Sequence, residues 1–108
     1  MSVDQLNVID FISIDENDNV LLSISDHLEW DSKNEHIFIL QEKINYYLRA
    51  IEGGGLYEKY PKAKGRNLII DLVIKYPMNQ EAHTFIGKVK EVLENAGYGF
   101  RYRFLEKR

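Results

Sequence analysis

The chain has 108 residues and 12.7 kDa, enough for one domain with its own core. Its 44% apolar and 12% aromatic content excludes a disordered or low-complexity chain, and a net charge of −3 argues against a polycationic nucleic-acid binder. Cysteine is absent, which removes disulfides, thiolate metal sites and cysteine nucleophiles and fits a reducing compartment. Met1 to Gln5 carry neither a basic n-region nor an apolar h-region. The longest apolar run, Leu68 to Ile74, is interrupted by Asp71 and too short to span a bilayer. The expectation is a cytoplasmic globular domain over residues 1–108, away from membranes.

Val8 to Ile14 is a β-branched run, Asp15 to Asn19 supplies turn chemistry, and Val20 to Ser25 resumes the strand pattern. Side chains of Asx residues bond their own backbone, so the two runs read as a hairpin. After Trp30 the period changes. Ser32-Lys33-Asn34-Glu35 has the form of a capping box, and Ile37, Leu40, Ile44, Tyr47, Leu48 and Ile51 form an apolar stripe at helical spacing. Gly53 to Gly55 stop this helix. The segment Leu56 to Arg66 exceeds the usual connection of about 4–6 residues and reads as either a short helical turn or a functional loop. Leu68, Ile70, Leu72 and Ile74 alternate with Ile69, Asp71, Val73 and Lys75, a strand with one apolar and one mixed face. Asn79 is placed to cap a second helix with the stripe Ala82, Phe85, Ile86, Val89, Val92 and Leu93, ending at Gly97. In the last strand Tyr98, Phe100, Tyr102 and Phe104 share the core-type face, opposite Arg101 and Arg103.

The element order is thus ββαβαβ, and the predicted fold is α+β, a two-layer sandwich. A four-stranded mixed sheet in the order 2-1-3-4 would have two helices on one face. The order 2-1-4-3 is disfavoured because it would bury Arg101 and Arg103. Leu40, Ile44, Leu72, Phe85, Val89 and Phe100 are expected in the core.

The most concentrated polar segment is Ser25 to Asp31. Asp26, His27, Glu29 and Asp31 offer carboxylate and imidazole groups suited to a hard cation, or to His27 acting as a base oriented by Asp26 or Glu29. The competing account is structural: acids before a helix complement its dipole, Asp31 or Ser32 caps it, and Leu28 and Trp30 pack. His36 and His83 complete no metal-binding spacing, so neither a metal nor a cofactor is expected. The glycine run follows a helix and lacks the Gly-Lys-Ser/Thr ending of a phosphate loop.

Charge is unevenly shared. Residues through Glu58 hold twelve acids and three bases, whereas those from Lys59 onward hold eleven bases and five acids. Lys59, Lys62, Lys64 and Arg66 in the long loop, with Arg101, Arg103, Lys107 and Arg108, suit an anion or an acidic partner. Nucleic acid is disfavoured, because strand alternation puts the aromatics and the arginines on opposite faces. The outer sheet face carries Ile69 and Val73, with either the Ile9–Phe11 or the Val8–Ile12 set, rimmed by Asp71, Lys75, Arg101 and Arg103. It reads as a protein interface or as a modest solvated face under long arginine stems. As an interface it suits a homodimer, in which Asp71 meets an arginine across the two-fold axis.

The segments Val8-Ile9-Asp10-Phe11-Ile12, Ser25-Asp26-His27-Leu28-Glu29-Trp30, Leu56-Tyr57-Glu58-Lys59-Tyr60-Pro61 and Ile74-Lys75-Tyr76-Pro77 resemble a family of small stand-alone bacterial proteins of unknown function. The resemblance implies a bacterial cytoplasmic protein and assigns no role to any residue. Three functions follow from the residues. The first is a non-catalytic protein-interaction or accessory module. The second is an anion- or small-ligand-binding domain using Lys59 to Arg66. The third is an enzyme using His27.

Overall fold

A computed structural model describes residues 3, 5, 9–31 and 33–105. Strands β1 (Phe11–Ile14) and β2 (Val20–Asp26) form the antiparallel hairpin. Its turn is made by the Asp15 carboxylate, whose Oδ1 accepts the N–H groups of Asn17 and Asn19, both at 2.9 Å. β1 is shorter than the sequence pattern suggests: Ile9 and Asp10 precede the ladder, and Val8 lies outside the described residues.

Helix α1 (Glu35–Glu52) does not start with the predicted capping box. Asn34 occupies the N-cap position in the left-handed region without a side-chain cap bond, and Ser32 lies outside the described residues. Asp31 caps instead, accepting the Glu35 N–H at 3.1 Å and the His36 N–H at 3.0 Å. Gly54, at φ 83°, takes the left-handed conformation that ends α1. The long connection holds helix α2 (Gly55–Lys59) and a 3₁₀ turn (Pro61–Ala63), seated on buried Leu56 and Ala63. Strand β3 (Leu68–Ile74), helix α3 (Gln80–Asn95) and strand β4 (Gly99–Phe104) follow. Asn79 caps α3 as its sequence position indicates, accepting the Ala82 N–H at 2.8 Å.

The fold is α+β with a four-stranded mixed sheet and three helices. The strand order is β1-β2-β3-β4 rather than 2-1-3-4, with β2–β3 and β3–β4 parallel. β1 sits at the edge, where short strands are tolerated, and β2 reaches β3 through α1 without crossing over its hairpin partner.

Val20, Leu22 and Ile24 pair in register with Leu68, Ile70 and Leu72, and all six are buried. They join Leu40, Ile44, Tyr47 and Ile51 of α1 and Ile86 and Leu93 of α3 in one cluster. Phe100 completes it, whereas Phe85 and Val89 only pack against its border. Tyr102 and Phe104 share the side of Phe100 but stay 43% and 47% exposed, because β4 is an edge strand that the helices cover only at Phe100.

Candidate functional site

The sequence cluster Asp26, His27, Glu29, Asp31 is taken apart by the fold. His27 and Glu29 point to solvent, and Asp31 is engaged at the start of α1. Asp26 ends β2 and turns inward, where its Oδ2 lies 2.6 Å from Nε2 of His36 in the first turn of α1. Both side chains are buried. Trp30 stacks on the imidazole at 3.7 Å between ring centres, and its indole N–H donates to the Tyr76 carbonyl. His36 Nδ1 faces the Glu29 carbonyl at 3.1 Å. A carbonyl cannot donate, so Nδ1 is the donor in that contact, and Nε2 is engaged by Asp26. Both ring nitrogens are thereby used, and none is presented to a substrate. The pair ties the end of β2 to the first turn of α1, and the Trp30 indole fastens the intervening connection to Tyr76 just beyond β3.

A second buried group ties the N-terminal segment to α1. Lys43 Nζ donates to Asp10 Oδ1 at 2.7 Å and to the Gln5 carbonyl at 2.6 Å. Asp10 Oδ2 accepts the Ser25 N–H, and its own N–H donates to the Tyr47 hydroxyl, which donates to the Ser23 carbonyl at 2.6 Å. Burial pushes the Tyr47 hydroxyl well above the usual phenol range, despite the bond it accepts from Asp10. Neither pairing is among the sequence expectations, which place Asp26 with His27 and weigh His36 only as a metal ligand. The signal was there, since His36 and Lys43 fall on the face set by Leu40, Tyr47 and Ile51.

The third charged group lies on the opposite side of the sheet. Asp71, in the middle of β3, is 1% exposed although it faces away from the core. Arg101 stands directly across from it on β4 and gives its Nε to Oδ1 at 3.2 Å. Arg103, one pleat further, gives its Nε to Oδ2 at 3.3 Å. The arginines remain 50% and 60% exposed, and among the described residues their Nη nitrogens have no hydrogen-bond partner. Around them the outer face carries half-buried Leu21, Ile69 and Val73 and exposed Phe11; of the Ile9–Phe11 set only Phe11 faces outward, since Ile9, ahead of the ladder, packs against the core with Ile12. Asp15, at the edge of this face, is held below the usual carboxylate range, chiefly by the Asn19 N–H and also by Arg101.

The basic loop forms no single pocket. Arg66 donates through Nε to the Lys62 carbonyl and pairs through Nη1 with Asp18 at 3.3 Å, while Lys59 lines a groove of about 500 Å³ with Ile9, Ile12 and Arg49. Lys62 and Lys64 are exposed, and Lys107 and Arg108 lie outside the described residues. Among the described residues no group of three or more histidine and acid side chains is placed to hold a metal ion, and no helix is long and apolar enough to cross a membrane. Every buried side-chain nitrogen and oxygen among them has a hydrogen-bond partner.

The sequence pattern that places these groups matches one family model over residues 1–106, that of a family of unknown function, DUF6572. The chain belongs to the DUF6572 family. No curated protein and no solved structure matches it. The DUF6572 match takes in Asp10, Asp26 and Asp71, the buried acids among the described residues, together with every partner described for them.

Proposed function

We propose that this DUF6572 chain is a non-catalytic interaction module of the bacterial cytoplasm that receives an acidic protein surface on the outer face of its sheet. One observation carries the reading: buried Asp71 holds Arg101 and Arg103 by their Nε atoms, leaving the Nη nitrogens of both half-exposed guanidiniums to a partner. A guanidinium already fixed along one edge loses less freedom when its fork takes a carboxylate. Phe11, Ile69 and Val73 beside it supply the apolar contact that protein interfaces combine with arginine. The saturated ring of His36 and the solvent-facing His27 support a binding role over an enzymatic one.

Self-association through the same face has less support. Asp71 is consumed within its own chain and nearly inaccessible, so it cannot meet an arginine across an axis. Two copies would bring four guanidiniums together, and like charges directly opposed are destabilising. An anion site in the Lys59–Arg66 loop is supported less still, since Arg66 is already committed to Lys62 and Asp18.

The test is photo-crosslinking in the native cell from a probe at Ser23 on the outer face, with a control probe at Lys90 on α3. A discrete partner should crosslink from Ser23 alone and be lost in Arg101→Glu/Arg103→Glu. Equal crosslinking from Lys90, or indifference to the double charge reversal, would overturn the reading.

A further inference from the structure

We propose that two copies of the chain pair edge to edge through β4, antiparallel, to make one continuous eight-stranded sheet. β4 is a six-residue edge strand, and among the described residues no bulge and no covering segment blocks its free side. It contains no proline. Its two charges, Arg101 and Arg103, both bond Asp71 of β3, and that shared carboxylate offsets part of the repulsion they set against a second copy. On the other side of the strand Tyr102 and Phe104 meet edge to face, their ring centres 6.2 Å apart. They leave an aromatic surface half uncovered, and Leu105, 56% exposed, follows at the end of the strand beside Tyr76 and Pro77.

The backbone says which groups are open. Leu105 N–H donates to the Ile74 carbonyl, toward β3. Peptide groups of alternate residues point to opposite edges of a strand, so the N–H and C=O of Tyr102 and Phe104 face the free edge. A second copy satisfies them in one antiparallel register, with Arg103 on the two-fold axis. Tyr102 then exchanges both hydrogen bonds with the partner's Phe104, and the aromatic pair of one copy lies against that of the other. The neighbouring register, with Tyr102 on the axis, sets Arg101 against the partner's Arg103 twice. The chosen register opposes arginines once only, each held beside its own Asp71. The two aromatic side chains of each copy expose on the order of 200 Å² between them, which together with the backbone bonds suits a weak, reversible dimer.

Sedimentation velocity of the full chain, from micromolar to near-millimolar concentration, should show growth toward twice the 12.7 kDa of the monomer. Tyr102→Lys/Phe104→Lys should abolish that growth without altering the circular dichroism or melting temperature, because both side chains are half in solvent. The chain contains no cysteine, so register is read by single substitutions. Facing residues on the axis lie about 4.5 Å apart between Cα atoms, within disulfide reach. Arg103→Cys should therefore crosslink to dimer under mild oxidation, and Tyr102→Cys far less. This arm also decides the matter if the double lysine variant fails to fold. A chain that stays monomeric throughout would overturn the proposal, as would a dimer insensitive to both edge changes. A dimer lost in Val73→Asp but not in the edge variants would assign the contact to the outer face and equally overturn it.

Discussion

The two sides of the sheet treat a buried carboxylate in opposite ways. On the helix side Asp10 and Asp26 are met by Lys43 and His36, which are as deeply buried as the acids themselves. On the outer side Asp71 is equally buried, yet its arginines are half in water. Removing a charge from water costs several kcal/mol, and an ion pair regains this only if both members and their hydrogen bonds are kept. The inner pairs are therefore committed to holding the chain together. In the outer group only the acid is so committed, and its cations keep unused hydrogen-bonding edges. The difference separates groups that build the fold from groups available to a partner.

The largest expected effect comes from breaking an inner pair. Lys43→Met strands Asp10 and removes the donor to the Gln5 carbonyl, so stability should fall by about 3–5 kcal/mol, measured by urea unfolding. Leu72→Ala, at a fully buried position in the same core, should cost a comparable 2–5 kcal/mol, roughly. If Lys43→Met were neutral, the inner pair would be ornamental and the contrast between the faces would vanish. Tyr47→Phe should cost less, about 1–3 kcal/mol, because it leaves the Asp10 N–H and the Ser23 carbonyl without their shared hydroxyl.

Much of this contrast was legible in the residue pattern, and the rest was not for identifiable reasons. Alternation along Leu68–Ile74 separated Asp71 from the core set correctly, because period two is a local property of a strand. The Asp15 turn and the Asn79 cap were likewise readable from side chains that bond within a few residues. Strand order was not, since a hairpin pattern leaves open which of its strands takes the next partner. The exposure of Tyr102 and Phe104 does not follow from that order, since β4 is an edge strand beside β3 either way; it depends on how far the helices reach over β4. The pair Asp26–His36 was missed because its members lie ten residues apart in sequence, and the nearer His27 looked like the better partner. That Asp71 shares a face with Arg101 and Arg103 was legible, but the two Nε bonds that tie both arginines to it within one chain were not.

A smaller, pH-dependent effect is expected at the start of α1. The His36 N–H, followed by the Glu35 N–H, holds the Asp31 carboxyl below its ordinary value, with partial desolvation opposing them. A depressed carboxylate contributes stability that is fully present above its unfolded value. That contribution is lost as pH falls through the folded value, so the window lies below about pH 4. Asp31→Asn should flatten this part of the acid unfolding curve and leave neutral-pH helicity nearly intact. An unchanged acid limb would mean that the cap contributes nothing, leaving the buried Asp26–His36 clamp alone to position the helix.

The smallest effect should come from the outer group. Arg101→Gln and Arg103→Gln each break one bond to Asp71, but the guanidiniums are 50% and 60% exposed and solvent screens the attraction. Each change should cost no more than about 1 kcal/mol, less in high salt. In the double variant Asp71 loses both cations together with the arginine stems that shield it, so water reaches the carboxylate and limits the penalty. Asp71→Asn approaches the same site from the other side and should be just as mild, since the freed arginines are solvated where they stand. Thermal melts of the three single variants beside Lys43→Met measure the difference directly. A drop in Arg101→Gln as large as that in Lys43→Met would make the outer arginines part of the fold's own framework. The outer face would then lose the free cations on which its role as a docking surface depends.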